Sequence, residues 1–165
     1  ARSLLEDAAG LVGQIKDRLS GHPGIFYAGY VEDAHKEYTE AKATLAFTEG
    51  STLPGPGSLG VGAASYMNGL AEAASELRRF ILDSLRRDDF SRCEALLETM
   101  DEVYSLLVTV DFPDAITRGL RRNTDMLRGV LERTRGDLTL ALRQRRLEQR
   151  LTHFQHDIDL REREA

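Results

Sequence analysis

Apolar residues return every three to four positions along almost the whole of this 165-residue chain, and alternating runs of period two are nearly absent. That period gives each segment one apolar stripe, and a helix can bury such a stripe only against another packed element. The pattern predicts an all-α fold: an antiparallel helical bundle closed by a long C-terminal helix. Residues 2–20 carry Leu4, Leu5, Ala8, Leu11, Val12, Ile15 and Leu19, and Gly21-His22-Pro23-Gly24 ends that stretch. A second helix is expected from Ile25 to Thr48, with Tyr27, Val31, Ala34, Tyr38, Ala41 and Leu45 on its stripe. Residues 49–60 read as a Gly/Pro-rich loop. A third helix is expected from Val61 to Arg87, with Ala63, Met67, Leu70, Ala74, Leu77 and Ile81 inward. Asp88-Asp89-Phe90 forms a corner, Ser91 is placed to cap a fourth helix ending at Thr109, and Asp111-Phe112-Pro113 turns the chain again. The last helix then runs from Asp114 into the tail over more than forty residues, longer than a compact domain needs, which predicts a partner of similar length.

Length and composition narrow the class. A chain of 165 residues is expected to form one domain, spanning 1–165, large enough to bury a core. Its 41% apolar and 30% charged residues exclude disorder, and no apolar run reaches the length of a membrane span. Cys93 is the only cysteine, so an internal disulfide and a multi-thiolate zinc site are excluded. No signal peptide is evident, and a cytoplasmic protein is expected. The first residue is Ala1 and not Met, so chain upstream of it is expected as well. The net charge of −5 hides an asymmetry. Residues 115–151 hold ten Arg against four acids, and residues 1–114 hold ten basic groups against nineteen acids. Such a split marks either a polyanion-binding surface or a solvated helix that uses Arg stems for packing.

Two pairs of carboxylates carry the chemistry. Glu37 and Glu40 are three apart on the second helix, and Glu72 and Glu76 are four apart on the third. Each spacing puts its pair on one helix face. If the two helices lie side by side, four carboxylates surround a space suited to a hard divalent cation, Mg²⁺ or Mn²⁺, of the kind that drives phosphodiester hydrolysis. On the helix wheel, Glu72 falls opposite the stripe centred near Leu70 and shares an off-core face with Glu76 and Arg79, which Gly69 leaves unobstructed. Glu37 flanks the Tyr38 stripe and Glu40 lies further round. The plain alternative is four surface glutamates, because Glu is a good helix former.

The surrounding residues add a resemblance. Lys36-Glu37-Tyr38-Thr39-Glu40-Ala41 resembles the Glu-Tyr-Val-Glu-Ala signature of the translin-associated factor X type within the translin superfamily. Tyr66-Met67-Asn68-Gly69-Leu70-Ala71-Glu72-Ala73-Ala74-Ser75-Glu76-Leu77 is similar to a second motif of that family. Asp83 to Phe90 and the Arg-rich last helix also fit, so the likeness covers about residues 25–150. It suggests a prokaryotic or archaeal member. The resemblance implies an all-helical fold and closed homo-oligomers, commonly octamers, that hold RNA. It also implies a Mg²⁺-dependent (or Mn²⁺-dependent) endoribonuclease if the carboxylates are kept, and an RNA- or single-stranded-DNA-binding scaffold if they are not. Glu37, Glu40 and Glu76 match the family's glutamates, and Glu72 stands where the family often has Asp, one methylene longer. On that basis Glu40 and Glu76 are expected to ligate metal directly, with Glu37 and Glu72 completing the set through water or acting on the nucleophile. Lys36, Arg78 and Lys42 are expected on the RNA backbone. Arg79 is expected on the scissile phosphate, or in an ion pair with Glu76 or Glu72. Tyr38 is expected in the core.

Other motifs carry less. Gly55-Pro56-Gly57-Ser58-Leu59-Gly60 has dinucleotide-fingerprint spacing, but no strand precedes it. Glu32-x-x-His35 is half of a di-iron bundle site and lacks its second half. His153-x-x-His156, with Asp157 nearby, lies in a charged tail and carries at most stray metal binding.

Overall fold

The computed structural model of the chain describes residues 2–164. Ala1 and Ala165, the ends of the expected 1–165 domain, lie outside the described residues. Every regular element among them is a helix: α1 Arg2–Leu19, α2 Pro23–Phe26, α3 Gly29–Glu49, α4 Pro56–Leu59, α5 Ala63–Leu85, α6 Cys93–Val108, α7 Asp114–Thr117 and α8 Leu120–Glu164. None is long and apolar enough to cross a membrane.

Helix α5 is the centre of the bundle, packed on α3, α6 and α8, while α1 lies on α3. Its Leu70, Ala71, Ala73, Ala74, Leu77 and Ile81 are buried with Met100 and Leu107 of α6 and with Leu127, Leu131 and Leu138 of α8. Full burial of Leu77 and Ile81 contributes about 1.5–3 kcal/mol each in transfer alone. A smaller cluster of Val12, Tyr38 and Leu59 sits under α1.

Helices α3 and α5 run in the same direction. Glu32 meets Ser65, Lys36 meets Glu72, and further along Ala41 and Thr44 share a wall with Phe80 and Asp83. The connection allows it: α3 is 21 residues, about 31 Å at 1.5 Å per residue, and residues 50–62 can span about 43 Å when extended. Helices α5 and α6 form an antiparallel hairpin, with Cys93 beside the Ile81 carbonyl.

Several sequence expectations shift. The helix expected from Ile25 divides into α2 and α3, because Ala28 is extended (ψ 147°). Phe26 turns inward to the His35 ring while Tyr27 is left exposed, its carbonyl accepting from Arg118. The buried face of α3 is Val31, His35, Tyr38, Thr39, Ala43 and Ala46, and Ala34 and Ala41 face solvent. Ala63 is exposed at the first position of α5, and Leu4 and Leu11 of α1 are exposed. The 49–60 loop contains the one-turn helix α4, which buries Leu59. Ser91 does not cap α6: its N–H and Oγ–H both donate to the Asp89 carboxylate, and α6 begins at Cys93. These bonds hold the Asp89 carboxyl below its usual range. The final helix is interrupted at Arg118 (φ 52°) and Gly119 (φ 84°), and α8 starts at Leu120. Asp114 fixes that corner by accepting from the Gly119 N–H at 2.9 Å.

Candidate metal centre

The site begins with a close helix crossing. Gly69 is buried, and a Cβ built on it would lie 2.7 Å from the Lys36 carbonyl oxygen and 2.7 Å from Thr39 Cβ. Any larger residue would hold α3 and α5 apart. The expected off-core face of α5 is therefore packed at Gly69 and Glu72 and exposed further along, at Glu76 and Arg79. Gly69 lies under α3, and Glu72, one turn further on, is half-buried against it.

This crossing brings the carboxylates together. Glu37, Glu40 and Glu72 each place one carboxylate oxygen so that all three lie within 4.8 Å of one another. Glu76 lies one turn beyond Glu72 and lines an open cavity of about 430 Å³ together with Glu37, Glu40, Arg79, Phe80 and Asp83. Glu40 has the most perturbed environment. Burial, followed by repulsion from Glu72, Glu37 and Glu76, pushes its carboxyl up to about 7, with Lys36 opposing. A carboxyl strained by three neighbouring anions is in a setting that a cation would relieve.

Lys36 supplies part of that relief. Its ammonium donates to Glu72 Oε1 at 2.9 Å and lies 3.3 Å from Glu37 Oε1. The hydrogen bond to Glu72 leads in holding the ammonium above its usual pKa, against partial desolvation. Lys36, expected on the RNA backbone, thus sits among the acids. Arg78 is engaged elsewhere: its guanidinium lies 2.8 Å from Asp137 Oδ2 and donates to Thr134 Oγ1 at 3.2 Å, joining α5 to α8. Arg79 is exposed on the cavity wall and has no ion-pair partner among the described residues. Lys42 sits 5.8 Å from the Tyr38 ring centroid, and Tyr38 is buried as expected. Burial also raises the pKa of the Tyr38 phenol.

Asp83 and Phe80 join this cavity without having been singled out from the sequence. Asp83 stands seven residues, two helical turns, beyond Glu76, and that spacing was the available signal. The other acid–histidine motifs do not form centres. Glu32 accepts from Ser65 Oγ and faces Arg118 at 3.7 Å, while His35 Nε2 is buried without a partner. Burial holds the His35 pKa low. His153 lies 3.8 Å from Asp157 on the exposed tail. Among the described residues, only Glu37, Glu40 and Glu72 form an acid or histidine group close enough to share an ion.

The donor set fits a hard divalent cation. All of its ligand atoms are carboxylate oxygens, which Mg²⁺ and Mn²⁺ prefer. Mg²⁺ bonds of about 2.0–2.1 Å put ligand oxygens up to about 4.2 Å apart, so three oxygens within 4.8 Å of one another need at most a small side-chain adjustment to share the ion.

Comparison with known proteins places this geometry. The chain is similar to the crystal structure of AfC3PO, with 34% identity and a TM-score of 0.78, over 85% of this chain and 73% of that one. It is likewise similar to the structure of the AfC3PO–duplex RNA complex, with 33% identity and a TM-score of 0.76, over 85% and 72%. Apo-NeC3PO shares the fold at 18% identity and a TM-score of 0.75, over 86% and 73%. The uncharacterized protein MJ0175 of Methanocaldococcus jannaschii is 28% identical over 130 residues, 78% of this chain. The chain spans 58% of that curated relative's length. No family model matches the chain.

Proposed function

This chain belongs to the translin superfamily, and from that premise we propose that it is a divalent-metal-dependent endoribonuclease. The observation that carries the reading is the meeting of Glu37, Glu40 and Glu72 from two helices, beside a cavity walled by Glu76 and Arg79. A non-enzymatic bundle has no need to crowd four acids where one is pushed up to about 7. AfC3PO, 33% identical to the chain over the aligned residues, forms a complex with duplex RNA, and this supports RNA as the substrate class.

Glu37, Glu40 and Glu72 would hold Mg²⁺ or Mn²⁺. Such an ion would supply positive charge at the phosphate and make the attacking water easier to deprotonate. Arg79, on the same wall and without an acidic partner among the described residues, is placed to grip the scissile phosphate through charge-assisted hydrogen bonds. Glu76, exposed and outside the close trio, is the carboxylate available to accept the attacking water's proton on one of its oxygens. Water's oxygen then bonds to phosphorus, the bridging P–O bond breaks, and the leaving oxygen takes a proton from solvent. In this reading Arg78 serves the fold, through its ion pair with Asp137.

A homo-oligomer, with eight copies as the expected number, is part of the same reading. Leu140, Leu147, Leu151 and Phe154 form an exposed stripe on α8, and Leu106, Val108, Phe112, Ile116 and Met126 stand exposed near the α6–α8 corner.

One observation favours a second reading. Lys36 already neutralises part of the cluster, as it would in a scaffold that binds RNA or single-stranded DNA without cutting. Incubating the chain with a short labelled RNA duplex in Mg²⁺ or Mn²⁺, against EDTA, separates the two. Metal-dependent fragments support the nuclease. A shifted but intact duplex in both conditions supports the scaffold.

A further inference from the structure

We propose that Lys36 is the resident second cation of the carboxylate centre: its ammonium holds Glu37 and Glu72 in ligating position and takes the place of a second divalent ion, so that each chain binds one metal ion. The inference rests on the metal-centre reading above and adds to it the number of ions and the residue that sets it.

Two-metal phosphodiester centres place their ions about 3.5–4 Å apart and share carboxylates between them. Here two of the three clustered carboxylates already share a cation. Lys36 Nζ lies 2.9 Å from Glu72 and 3.3 Å from Glu37, one acid on each helix. The position is built into the fold. The Lys36 carbonyl lies directly over Gly69, where a Cβ would come within 2.7 Å, so its backbone cannot drift along α5. Glu72 stands three residues beyond Gly69, and the Lys36 side chain crosses the seam to reach it. Only a quarter or less of either side chain is exposed (23% for Lys36, 25% for Glu72), so water competes weakly for this pair.

The charge count agrees. Glu37, Glu40, Glu72 and Glu76 carry −4 when ionised, Lys36 with Arg79 carries +2, and Asp83 on the same wall is paired with Arg86 at 3.3 Å. The remaining −2 is balanced by one divalent ion, and a second would leave the site net positive. An ammonium suits the role because it is a compact point charge that can donate to acids on two sides.

The test is a Mn²⁺ titration of the full chain by calorimetry, with electron paramagnetic resonance on the loaded protein. Wild type is expected to bind one Mn²⁺ per chain and to give the spectrum of isolated ions. Lys36→Met is expected to bind two, with the broadened spectrum of a coupled pair, and Lys36→Arg is expected to return to one. A positive charge needed only for packing would not alter the ion count. Two ions in wild type, or one in both wild type and Lys36→Met, overturns the proposal and leaves the metal centre standing. No Mn²⁺ bound to folded wild type overturns the metal centre as well. If Lys36→Met fails to fold, Lys36→Gln, whose amide still donates to Glu72, carries the same expectation of two.

Discussion

Replacing Glu40 with Gln should stabilise the fold while removing its metal site, and the size of the effect follows from the site's electrostatics. The Glu40 carboxyl is pushed from 4.5 up to about 7 by burial and by Glu72, Glu37 and Glu76. The folded state therefore binds a proton that the unfolded chain has already released. The penalty is absent below about pH 4.5, grows as pH rises, and is complete above about pH 7. Moving that carboxyl from 4.5 to about 7 costs at most ~3.4 kcal/mol. Glu40 is only half-buried, so solvent screening brings the expected value to about 1–2 kcal/mol. A neutral amide of the same shape removes the repulsion. Urea unfolding in EDTA at pH 8 should show Glu40→Gln more stable than wild type by about 1–2 kcal/mol, and the difference should close near pH 4.5. Added Mn²⁺ should stabilise wild type and leave the variant unchanged. Equal stability at pH 8, or a difference independent of pH, would refute the electrostatic argument.

Three further outcomes follow from contacts elsewhere. Gly69→Ala gains about 1 kcal/mol of helix propensity but forces a Cβ to 2.7 Å from the Lys36 carbonyl. Overpacking of about 1–3 kcal/mol should prevail, lowering the urea midpoint and weakening Mn²⁺ binding together; a variant as stable and as metal-competent as wild type would contradict the close crossing. Adjacent arginines should separate: Arg79→Ala should lower RNA cleavage about tenfold or more with an unchanged melting curve, and Arg78→Ala should cost about 1 kcal/mol of stability through Asp137 and Thr134 while sparing the chemistry. Leu151→Asp, in the exposed α8 stripe, should lower the assembly size measured by light scattering without unfolding the monomer; an unchanged mass would remove that stripe from the interface.

The fold was legible where burial is hydrophobic and periodic. Leu70, Ala74, Leu77 and Ile81 read correctly as the inward face of α5, and the breakers at Gly21–Gly24 and Asp88–Phe90 marked true corners. Helix α3 was harder because its buried face adds His35, Thr39, Ala43 and Ala46 to the expected Val31 and Tyr38. Thr39 lies at the close approach of Gly69, and no hydrophobicity pattern reports a close approach. The same approach hid the setting of Glu72: a wheel drawn on α5 alone assigns its far face to solvent, which holds for Glu76 and Arg79 but not for Gly69 and Glu72, where α3 covers it. Whether α3 and α5 run parallel depends on the 50–62 connection, whose length allows a return crossing without requiring it. The spacing of the four glutamates, and their likeness to translin-family motifs, located the candidate centre. That Lys36 crosses the Gly69 seam to Glu72 was not legible, because the direction of its side chain is a tertiary fact. Asp83 was matched only as the start of a family-like segment, without a place at the site.

The most direct test is single-turnover cleavage of a short labelled RNA duplex in Mg²⁺ by wild type and by folded Glu40→Gln, measured side by side. Cutting by wild type that is lost in EDTA and falls at least a hundredfold in the variant is the expected result. Equal cutting by the two proteins would take the chemistry away from the α3–α5 carboxylates.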